Sequence, residues 1–379
     1  MDIKRILFST IKDKLSFTNK IIILYGARQV GKTTLINQVL DTFPVRILRI
    51  NADELKYIDI LSSRDLKKIS SLVYGYDILF IDEAQRIPDI GINLKIMHDQ
   101  LPQLKIVATG SSSFDLANKV QEPLTGRAWT YNLFPISFLE LAQHHNSFEL
   151  GELLEQCLIY GQYPEQLSIV NNNDKYQHLK ELATSYLYRD TLDLVHVKHA
   201  DKLHDLLRLL AFQVGSLVSV TELSNSLNIS KDTVSSYIHL LEKAFIVFRL
   251  KGYSRNLRKE ITKMDKIYFY DLGVRNMAID NLQPLANRND QGALWENFLI
   301  LERRKLLSYL FRNANTYFWR TYTGAELDYL EERDAALFGY EFKYNRKAPK
   351  APKSWLATYP EAVYSCVNKE TYLEFVTKL

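Results

Sequence analysis

The feature that most constrains this chain is an eight-residue segment, Gly26-Ala27-Arg28-Gln29-Val30-Gly31-Lys32-Thr33. It follows an apolar, β-branched run, Ile21–Tyr25, and it opens Lys32–Leu40, where apolar residues recur at helical spacing. A glycine-rich loop between a strand and a helix can wrap its backbone N–H groups around phosphate, and the helix N-terminus favours anions. The segment therefore predicts a phosphate-binding loop, the P-loop.

The residues of this loop have distinct predicted roles. Lys32 reaches the β- and γ-phosphates of ATP, and the Thr33 hydroxyl is a ligand of Mg²⁺. The predicted nucleotide-binding set is the whole loop with the residue after it: Gly26, Ala27, Arg28, Gln29, Val30, Gly31, Lys32, Thr33 and Thr34. ATP and Mg²⁺ are accordingly the expected cofactors.

An acidic pair supplies the second half of this site. Four apolar residues, 78–81, predict a buried strand whose carboxyl end presents Asp82 to the Mg²⁺ ion. Glu83 is placed to polarise a water molecule for attack on the γ-phosphate. Because a glutamate stands here, hydrolysis is favoured over phosphoryl transfer to a small molecule.

Further strand-like runs, 45–50, 77–81 and 104–108, with a helix-like run at 94–101, predict a parallel sheet covered by helices. Ligands of such sheets bind at the carboxyl ends of the strands. Thr109 and Ser111 follow the last of these runs and could sense the γ-phosphate. The alternative is a Ser/Gly loop that caps the next helix.

Arg127 is the remaining candidate of this region. It could supply positive charge to the transition state at a neighbouring subunit. The alternative is an ordinary surface salt bridge.

The middle of the chain carries a helix-turn-helix pattern. Val220–Leu227 predicts a short amphipathic helix, residues 228–230 a turn, and Lys231–Lys243 a second helix capped by Ser230. Its buried face should comprise Val234, Ile238 and Leu241, and two strand-like runs, 245–250 and 266–270, follow.

Positive charge is concentrated in this region. Residues 231–263 contain eight basic and three acidic residues, a formal net charge of +5, whereas the whole chain carries +4. Such a distribution is typical of contact with the DNA backbone, and a winged-helix fold used for packing alone is the alternative. The predicted DNA-binding residues are Lys231, Arg255, Arg258 and Lys259.

A third group of candidates lies near the C-terminal end. Glu296 falls in a predicted helix, Asp328 in a strand-like run, and Glu341 and Lys343 share a face of another strand, because side chains two apart point the same way. Carboxylates with a lysine could hold Mg²⁺ and activate water for phosphodiester cleavage. The alternative is a solvated strand face.

Bulk features exclude other classes of protein. No run reaches the roughly 18 apolar residues of a membrane span, since the longest candidate, 206–220, is interrupted by Arg208, Gln213 and Gly215. Cys157 and Cys366 suit a reducing compartment. No signal peptide is expected, so the predicted location is the cytoplasm, without a membrane partner.

The succession of motifs resembles the bacterial and archaeal AAA-like ATPases that carry the uncharacterised domain DUF4143. The matching segments, which extend over nearly the full chain, are 26–33, 79–85, 109–111, 126–127, 134–138, 160–165, 189–190, 266–273, 292–297, 319–328 and 340–343. The resemblance implies an arginine-finger role for Arg127 and a sensor-1 role for Thr109 or Ser111. It also implies a PD-(D/E)xK nuclease-like fold whose site residues correspond to Glu296, Asp328, Glu341 and Lys343.

Two positions depart from the pattern of that family. Gln162 stands in the family's Gly-Gly-aromatic-Pro segment where a second glycine is usual, and Leu327 precedes the nuclease aspartate where proline is usual.

The predicted fold class is α/β. A P-loop NTPase parallel sheet (1–140) is followed by a helical and winged-helix region (141–275) and an α/β PD-(D/E)xK nuclease-like domain (276–379). The predicted function is Mg²⁺-dependent ATP hydrolysis coupled to binding or processing of double-stranded DNA, with a homo-oligomer as a further expectation. The alternative is a nucleotide-switched binding module whose inactive nuclease-like fold recruits partners.

Overall fold

The computed structural model describes residues 3–110, 123–185, 200–253, 265–321, 323–345 and 349–379. The chain divides into an N-terminal unit, residues up to Pro135 with Lys243–Phe245, and a C-terminal unit, Ile136–Glu242 with Ile246–Leu379. Four predicted site residues lie outside the described residues, namely Ser111, Arg255, Arg258 and Lys259. The segment 189–190, which matched the family pattern, also lies outside them. In the described ranges, no helix has both the length and the apolar composition that a membrane crossing requires.

The N-terminal unit is built on a parallel five-stranded sheet in the order β2-β3-β4-β1-β5. Its strands are β1 (Ile21–Tyr25), β2 (Ile47–Asn51), β3 (Ile78–Asp82), β4 (Lys105–Gly110) and β5 (Ala128–Asn132). Its helices are α1 (Leu7–Phe17), α2 (Lys32–Leu40), α3 (Leu55–Leu61), α4 (Leu66–Val73) and α5 (Ile90–Gln100), with a 3-10 helix at Ala84–Arg86.

The predicted parallel sheet is confirmed, and the physical reason lies in its central strands. All five residues of β1 are buried, as are four of the five in β3, because helices cover both faces of a parallel sheet. β4 lies between β3 and β1. The carboxyl ends of β3, β4 and β1 are therefore adjacent. These ends carry Asp82, Thr109 and the start of the P-loop, respectively.

The C-terminal unit contains a mixed seven-stranded sheet with helices around it. Its strands are β6 (Leu217–Val218), β7 (Val247–Gly252), β8 (Asp265–Phe269), β9 (Asn315–Arg320), β10 (Glu326–Arg333), β11 (Ala336–Phe342) and β12 (Val363–Val367). Its helices are α6 (Phe138–Leu141), α7 (Ser147–Tyr160), α8 (Pro164–Ser168), α9 (Asn172–Ser185), α10 (Ala200–Phe212), α11 (Val220–Leu227), α12 (Lys231–Lys243), α13 (Leu272–Ala278), α14 (Gln291–Tyr309), α15 (Lys353–Thr358) and α16 (Tyr372–Thr377), with a 3-10 helix at Leu285–Asn287.

The order of this sheet is β12-β11-β10-β9-β7-β8-β6. β7 pairs antiparallel with β8 on one side and parallel with β9 on the other, through Lys251–Tyr317 and Gly252–Phe318. One sheet therefore spans the boundary expected between residues 275 and 276. The division into three domains stays a prediction.

The two helices of the helix-turn-helix pattern have the predicted bounds. Asn228 adopts a left-handed conformation (φ 54°) in the turn, and the Ser230 hydroxyl accepts a hydrogen bond from the Thr233 N–H at 3.1 Å. Val234, Ile238 and Leu241 are buried, as expected. The helices are followed by the antiparallel hairpin β7–β8, and β6, which precedes them, pairs with β8.

The structure also explains the departure at Gln162. Its side chain is buried, donating to the Ile136 carbonyl at 2.9 Å and to the Glu302 carboxylate at 3.0 Å. Its backbone N–H donates to Asp271 at 2.7 Å. The preceding Gly161 (φ 79°) must be glycine, because a Cβ there would collide with the Asp271 carboxylate. The Gln162 side chain thus provides polar partners in the core, whereas a glycine would provide only its backbone N–H.

Candidate functional site

The P-loop has the backbone of an anion-binding loop. Gly31 (φ 92°) and Gln29 (φ 57°) adopt left-handed conformations, which turn successive N–H groups toward one side. Gly26 is required for a different reason: a Cβ would collide with the Leu133 carbonyl oxygen, where the chain passes after β5. α2 begins directly after Gly31, so its N-terminus faces the loop.

Lys32 is buried beside the loop, with an exposed fraction of 5%. Its ammonium group donates to the carbonyl oxygens of Gly26 (2.9 Å) and Ala27 (2.8 Å). A buried ammonium requires such acceptors, and phosphate oxygens are stronger ones. Lys32 is therefore positioned where the phosphates of a nucleotide would take over these hydrogen bonds.

Arg5 supports the backbone of the P-loop, a role that the sequence did not predict. Its guanidinium donates to the Val30 carbonyl at 2.7 Å and to the Phe134 carbonyl at 2.6 Å, and the side chain is buried. The N-terminal segment thereby fixes the P-loop backbone against the segment after β5. Nothing in the sequence signals this role, because Arg5 lies 25 residues before its partner and belongs to no motif.

The structure brings Asp82, Thr33 and Thr109 together. The Thr33 hydroxyl donates to Asp82 Oδ2 at 2.8 Å, and the Thr109 hydroxyl donates to Asp82 Oδ1. Thr109 is fully buried at the carboxyl end of β4, and Asp82 ends β3. These uncharged hydroxyls and the carboxylate are hard oxygen donors of the kind that Mg²⁺ prefers, so the residues fit the ion that the P-loop implies.

Glu83 occupies a constrained position next to this group. Its backbone is left-handed (φ 53°), which is uncommon for a non-glycine residue and occurs often at functional sites. Its half-buried carboxylate accepts a hydrogen bond from the Gln85 side chain. Its backbone N–H donates to Asp82 Oδ1 at 3.2 Å, at the edge where ligands of parallel sheets bind.

Arg127 lies at the opposite end of the sheet. Its carbonyl accepts a hydrogen bond from Ile21 at the start of β1, whereas the P-loop follows the end of β1. A five-residue strand is roughly 16 Å long, so Arg127 does not reach the P-loop of its own unit. It pairs with Asp99 at 2.8 Å, and this hydrogen bond is the chief cause that lowers the pKa of Asp99 to about 2.

The C-terminal candidates lie on adjacent elements of the second unit. In the register of β10 with β11, Tyr329 is opposite Tyr340, so Asp328 and Glu341 are neighbours across the two strands. Lys343 pairs with Glu341 at 2.6 Å. Asp328 accepts the Phe342 N–H at 2.7 Å.

Glu296 on α14 has other partners. Lys266 donates to its carboxylate at 3.1 Å and the Tyr268 hydroxyl at 2.5 Å. Lys266 also pairs with Glu326 at 2.7 Å. The sequence does not identify Lys266 or Glu326 as part of this site. They lie on strands that are far apart in the chain, and no sequence pattern indicates that the two side chains form an ion pair.

Glu296, Glu326, Asp328 and Glu341 form a carboxylate cluster, and burial raises the pKa of three of them. Desolvation raises the pKa of Glu296 to about 7, although Lys266 opposes the shift, and it raises the pKa of Asp328 and of Glu341. Repulsion between carboxylates adds to burial and is the smaller contribution. Among the described residues, no three His, Cys, Asp or Glu side chains are grouped so that they could hold a metal ion.

Comparison with known families divides the chain into three matches. Residues 18–142 match an AAA domain (AAA_14), residues 151–285 match a domain of unknown function (DUF8612), and residues 291–375 match another (DUF4143).

Similar proteins come from bacteria and archaea. An uncharacterized protein of Mycobacterium tuberculosis is 29% identical over 85% of this chain and 70% of its own length. One of Methanocaldococcus jannaschii is 26% identical over 76% and 67%. Among solved structures, a Walker-type ATPase of Pyrococcus abyssi is 18% identical, covers 72% of this chain and 94% of its own, and has a TM-score of 0.48. Residues 18–142 of this chain are therefore similar to an AAA domain (AAA_14), and residues 291–375, toward its C-terminal end, are similar to DUF4143.

Proposed function

We propose that the chain hydrolyses ATP with Mg²⁺ at the P-loop and couples this reaction to binding of double-stranded DNA. The single observation that carries the proposal is the group formed by Asp82 with the Thr33 and Thr109 hydroxyls, in which Thr33 directly follows the buried Lys32. It joins the P-loop, the acidic strand and the strand between them in one hydrogen-bonded set.

In this proposal each side chain has a separate task. Lys32 leaves the Gly26 and Ala27 carbonyls and binds the β- and γ-phosphate oxygens. The hydroxyl of Thr33 and the carboxylate of Asp82 hold Mg²⁺, which would neutralise charge on the phosphates when bound. Glu83 orients and polarises the attacking water, and Thr109 fixes the orientation of Asp82.

The DNA part of the proposal assigns α11, α12 and the hairpin β7–β8 to a winged helix. The order of strand, two helices and an antiparallel hairpin supports it, and α12 exposes Lys231, Ser236 and His239. Arg249 belongs to the same basic stretch but pairs with Glu242 at 3.1 Å. Phosphate contact in this proposal therefore rests on Lys231 and on the residues between the hairpin strands, Arg255, Arg258 and Lys259.

Turnover of ATP with and without duplex DNA tests both parts. We expect hydrolysis by the parent protein, loss of hydrolysis in Lys32→Ala, and stimulation by DNA. Hydrolysis that DNA does not stimulate would favour the second candidate function, a nucleotide-switched module that recruits partners. That candidate is supported by the ion-paired state of the C-terminal carboxylates.

Salt dependence tests the DNA surface directly. Neutralising Arg255, Arg258 and Lys259 together removes up to three phosphate contacts, so the slope of log affinity against log salt should fall by about 2–3 units. A matched triple change at three exposed lysines of the N-terminal unit, Lys67, Lys68 and Lys95, is the control and should leave the slope unchanged. Equal slopes for both triple variants would place the DNA site elsewhere.

The proposal includes a homo-oligomer in which Arg127 acts on a neighbouring subunit. Arg127 lies far from its own P-loop, so any role at a transition state is intermolecular. Mixing Arg127→Ala with Lys32→Ala should restore part of the turnover, because each variant supplies what the other lacks. An absence of recovery at every ratio would leave Arg127 as the structural partner of Asp99.

A further inference from the structure

Lys266 lies at the centre of one half of the carboxylate cluster. It projects from β8, its side chain has an exposed fraction of 3%, and its ammonium pairs with Glu296 at 3.1 Å and with Glu326 at 2.7 Å. These two carboxylates come from different elements, α14 and β10. A buried ammonium is stable only with such partners, so the three groups depend on one another.

Two further groups lie against the carboxylate of Glu296. The Tyr268 hydroxyl donates to the same oxygen that Lys266 contacts, Oε1, at 2.5 Å. The backbone of Gly215 (φ 78°) covers the other oxygen so closely that a Cβ there would lie 3.3 Å from Oε2. Glu296 therefore faces an ammonium, a hydroxyl and a backbone segment.

The other half of the cluster is paired in a similar way. Lys343 pairs with Glu341 at 2.6 Å, and Asp328 accepts the Phe342 N–H at 2.7 Å. Two ammonium groups and one guanidinium, that of Arg320 at 3.8 Å from Glu326, face four carboxylates, so the number of charges alone leaves room for a further cation. The geometry, however, leaves no place for a divalent ion between Glu296 and Glu326, because Lys266 already bridges these two carboxylates.

We infer that Lys266 is the resident cation of this cluster and holds Glu296 and Glu326 in place of a divalent ion. The residues as arranged do not fit the Mg²⁺ that the nuclease-like resemblance implies at Glu296, and we assign no reaction step to such an ion. The ion pairs of Lys266 instead connect β8, the second strand of the hairpin, to α14 and β10. This inference is independent of the proposed ATP hydrolysis.

The experiment measures Mn²⁺ binding and thermal unfolding of the full chain without nucleotide. Every protein carries Asp82→Asn, which removes the P-loop carboxylate from the titration. The parent in this background should show no Mn²⁺ binding that depends on Glu296 and no Mn²⁺ shift of its unfolding midpoint. Lys266→Met keeps the length of the side chain but leaves the half-buried carboxylates of Glu296 and Glu326 without their shared ammonium. Its midpoint should fall by several degrees, and Mn²⁺ should restore part of that loss.

Two further variants make the result specific. In Lys266→Met/Glu296→Gln the midpoint should recover and the response to Mn²⁺ should disappear, because a neutral amide replaces the unpaired carboxylate. Lys343→Met is the matched control: its side chain has an exposed fraction of 30%, so its removal should cost less and should create no response to Mn²⁺ of the same size.

Two outcomes would overturn the inference. One is Mn²⁺ binding by the parent that is lost in Glu296→Gln, which would show that Glu296 holds a metal ion despite Lys266. This comparison remains decisive if Lys266→Met does not fold. The other is a Lys266→Met protein with an unchanged midpoint and no gain of Mn²⁺ binding.

Discussion

Both units place candidate carboxylates beside a sheet, but the two units surround these carboxylates differently. In the N-terminal unit Asp82 is bonded by two uncharged hydroxyls, from Thr33 and Thr109. In the C-terminal unit Glu296 and Glu341 are each paired with a lysine ammonium. Hydroxyls orient a carboxylate and leave its negative charge available, whereas an ammonium neutralises it. The comparison teaches that the partners of a carboxylate, rather than its place in a motif, determine whether it is ready to receive a cation.

The largest expected effect is the loss of ATP turnover in Lys32→Ala, which tests the site in the N-terminal unit. We expect ATP binding to be weakened and turnover to fall by at least about 10²–10³, the usual cost of losing a preorganised charge at the reacting phosphate. The measurement is steady-state turnover together with nucleotide binding. Lys95→Ala, an exposed lysine of the same unit, is the control and should behave as the parent.

The Glu83→Gln variant separates binding from chemistry. The amide occupies the same space but cannot polarise water, so ATP should still bind while hydrolysis falls by about 10²–10⁴. Single-turnover hydrolysis and nucleotide retention are measured in parallel, with Glu54→Gln as the exposed control. Parental hydrolysis in Glu83→Gln would refute the role assigned to Glu83.

The pH dependence of stability should belong to the C-terminal unit, where carboxylates are buried. Burial raises the pKa of Asp271 to about 6 from an ordinary value of 3.8. The folded state thus holds its proton more tightly than the unfolded chain, so the contribution of Asp271 is complete below pH 3.8 and is lost as pH rises through about 6. The loss is on the order of 3 kcal/mol.

Denaturant unfolding between pH 4.5 and 7.5 measures this contribution. The decline in unfolding free energy should be smaller in Asp271→Asn than in the parent by about two thirds of that amount, because part of the contribution is already lost at pH 4.5. Asp280→Asn, at an exposed position after α13, is the control. A parallel decline in parent and Asp271→Asn would show that other groups cause it.

The smallest expected effect concerns Arg5. Arg5→Ala removes two hydrogen bonds that hold the P-loop backbone, so ATP affinity should fall about tenfold, the equivalent of roughly one net hydrogen bond. Lys4→Ala, its exposed neighbour, is the control, and affinity is measured by titration with ATP. An unchanged affinity would mean that the loop keeps its shape without the N-terminal segment.

The local elements were predictable because their signals are local. The P-loop, β1, α2, α11 and α12 follow from apolar periodicity and from glycine and serine at turns, and the structure has them at the predicted residues. Thr33 and Asp82 were likewise predicted to meet, since parallel strands bring their carboxyl ends to one edge.

What the sequence determined by itself, then, is the set of elements and the chemistry of the P-loop edge. The tertiary structure alone decided the pairing of β7 with β9, the contact of Arg5 with Val30, the distance of Arg127 from its own P-loop, and the meeting of Lys266 with Glu296 and Glu326. These contacts join residues far apart in the chain through burial and charge pairing. Burial and charge pairing between distant residues produce no periodic pattern in the sequence. A buried ammonium needs a carboxylate that is near in space, at no particular spacing along the chain.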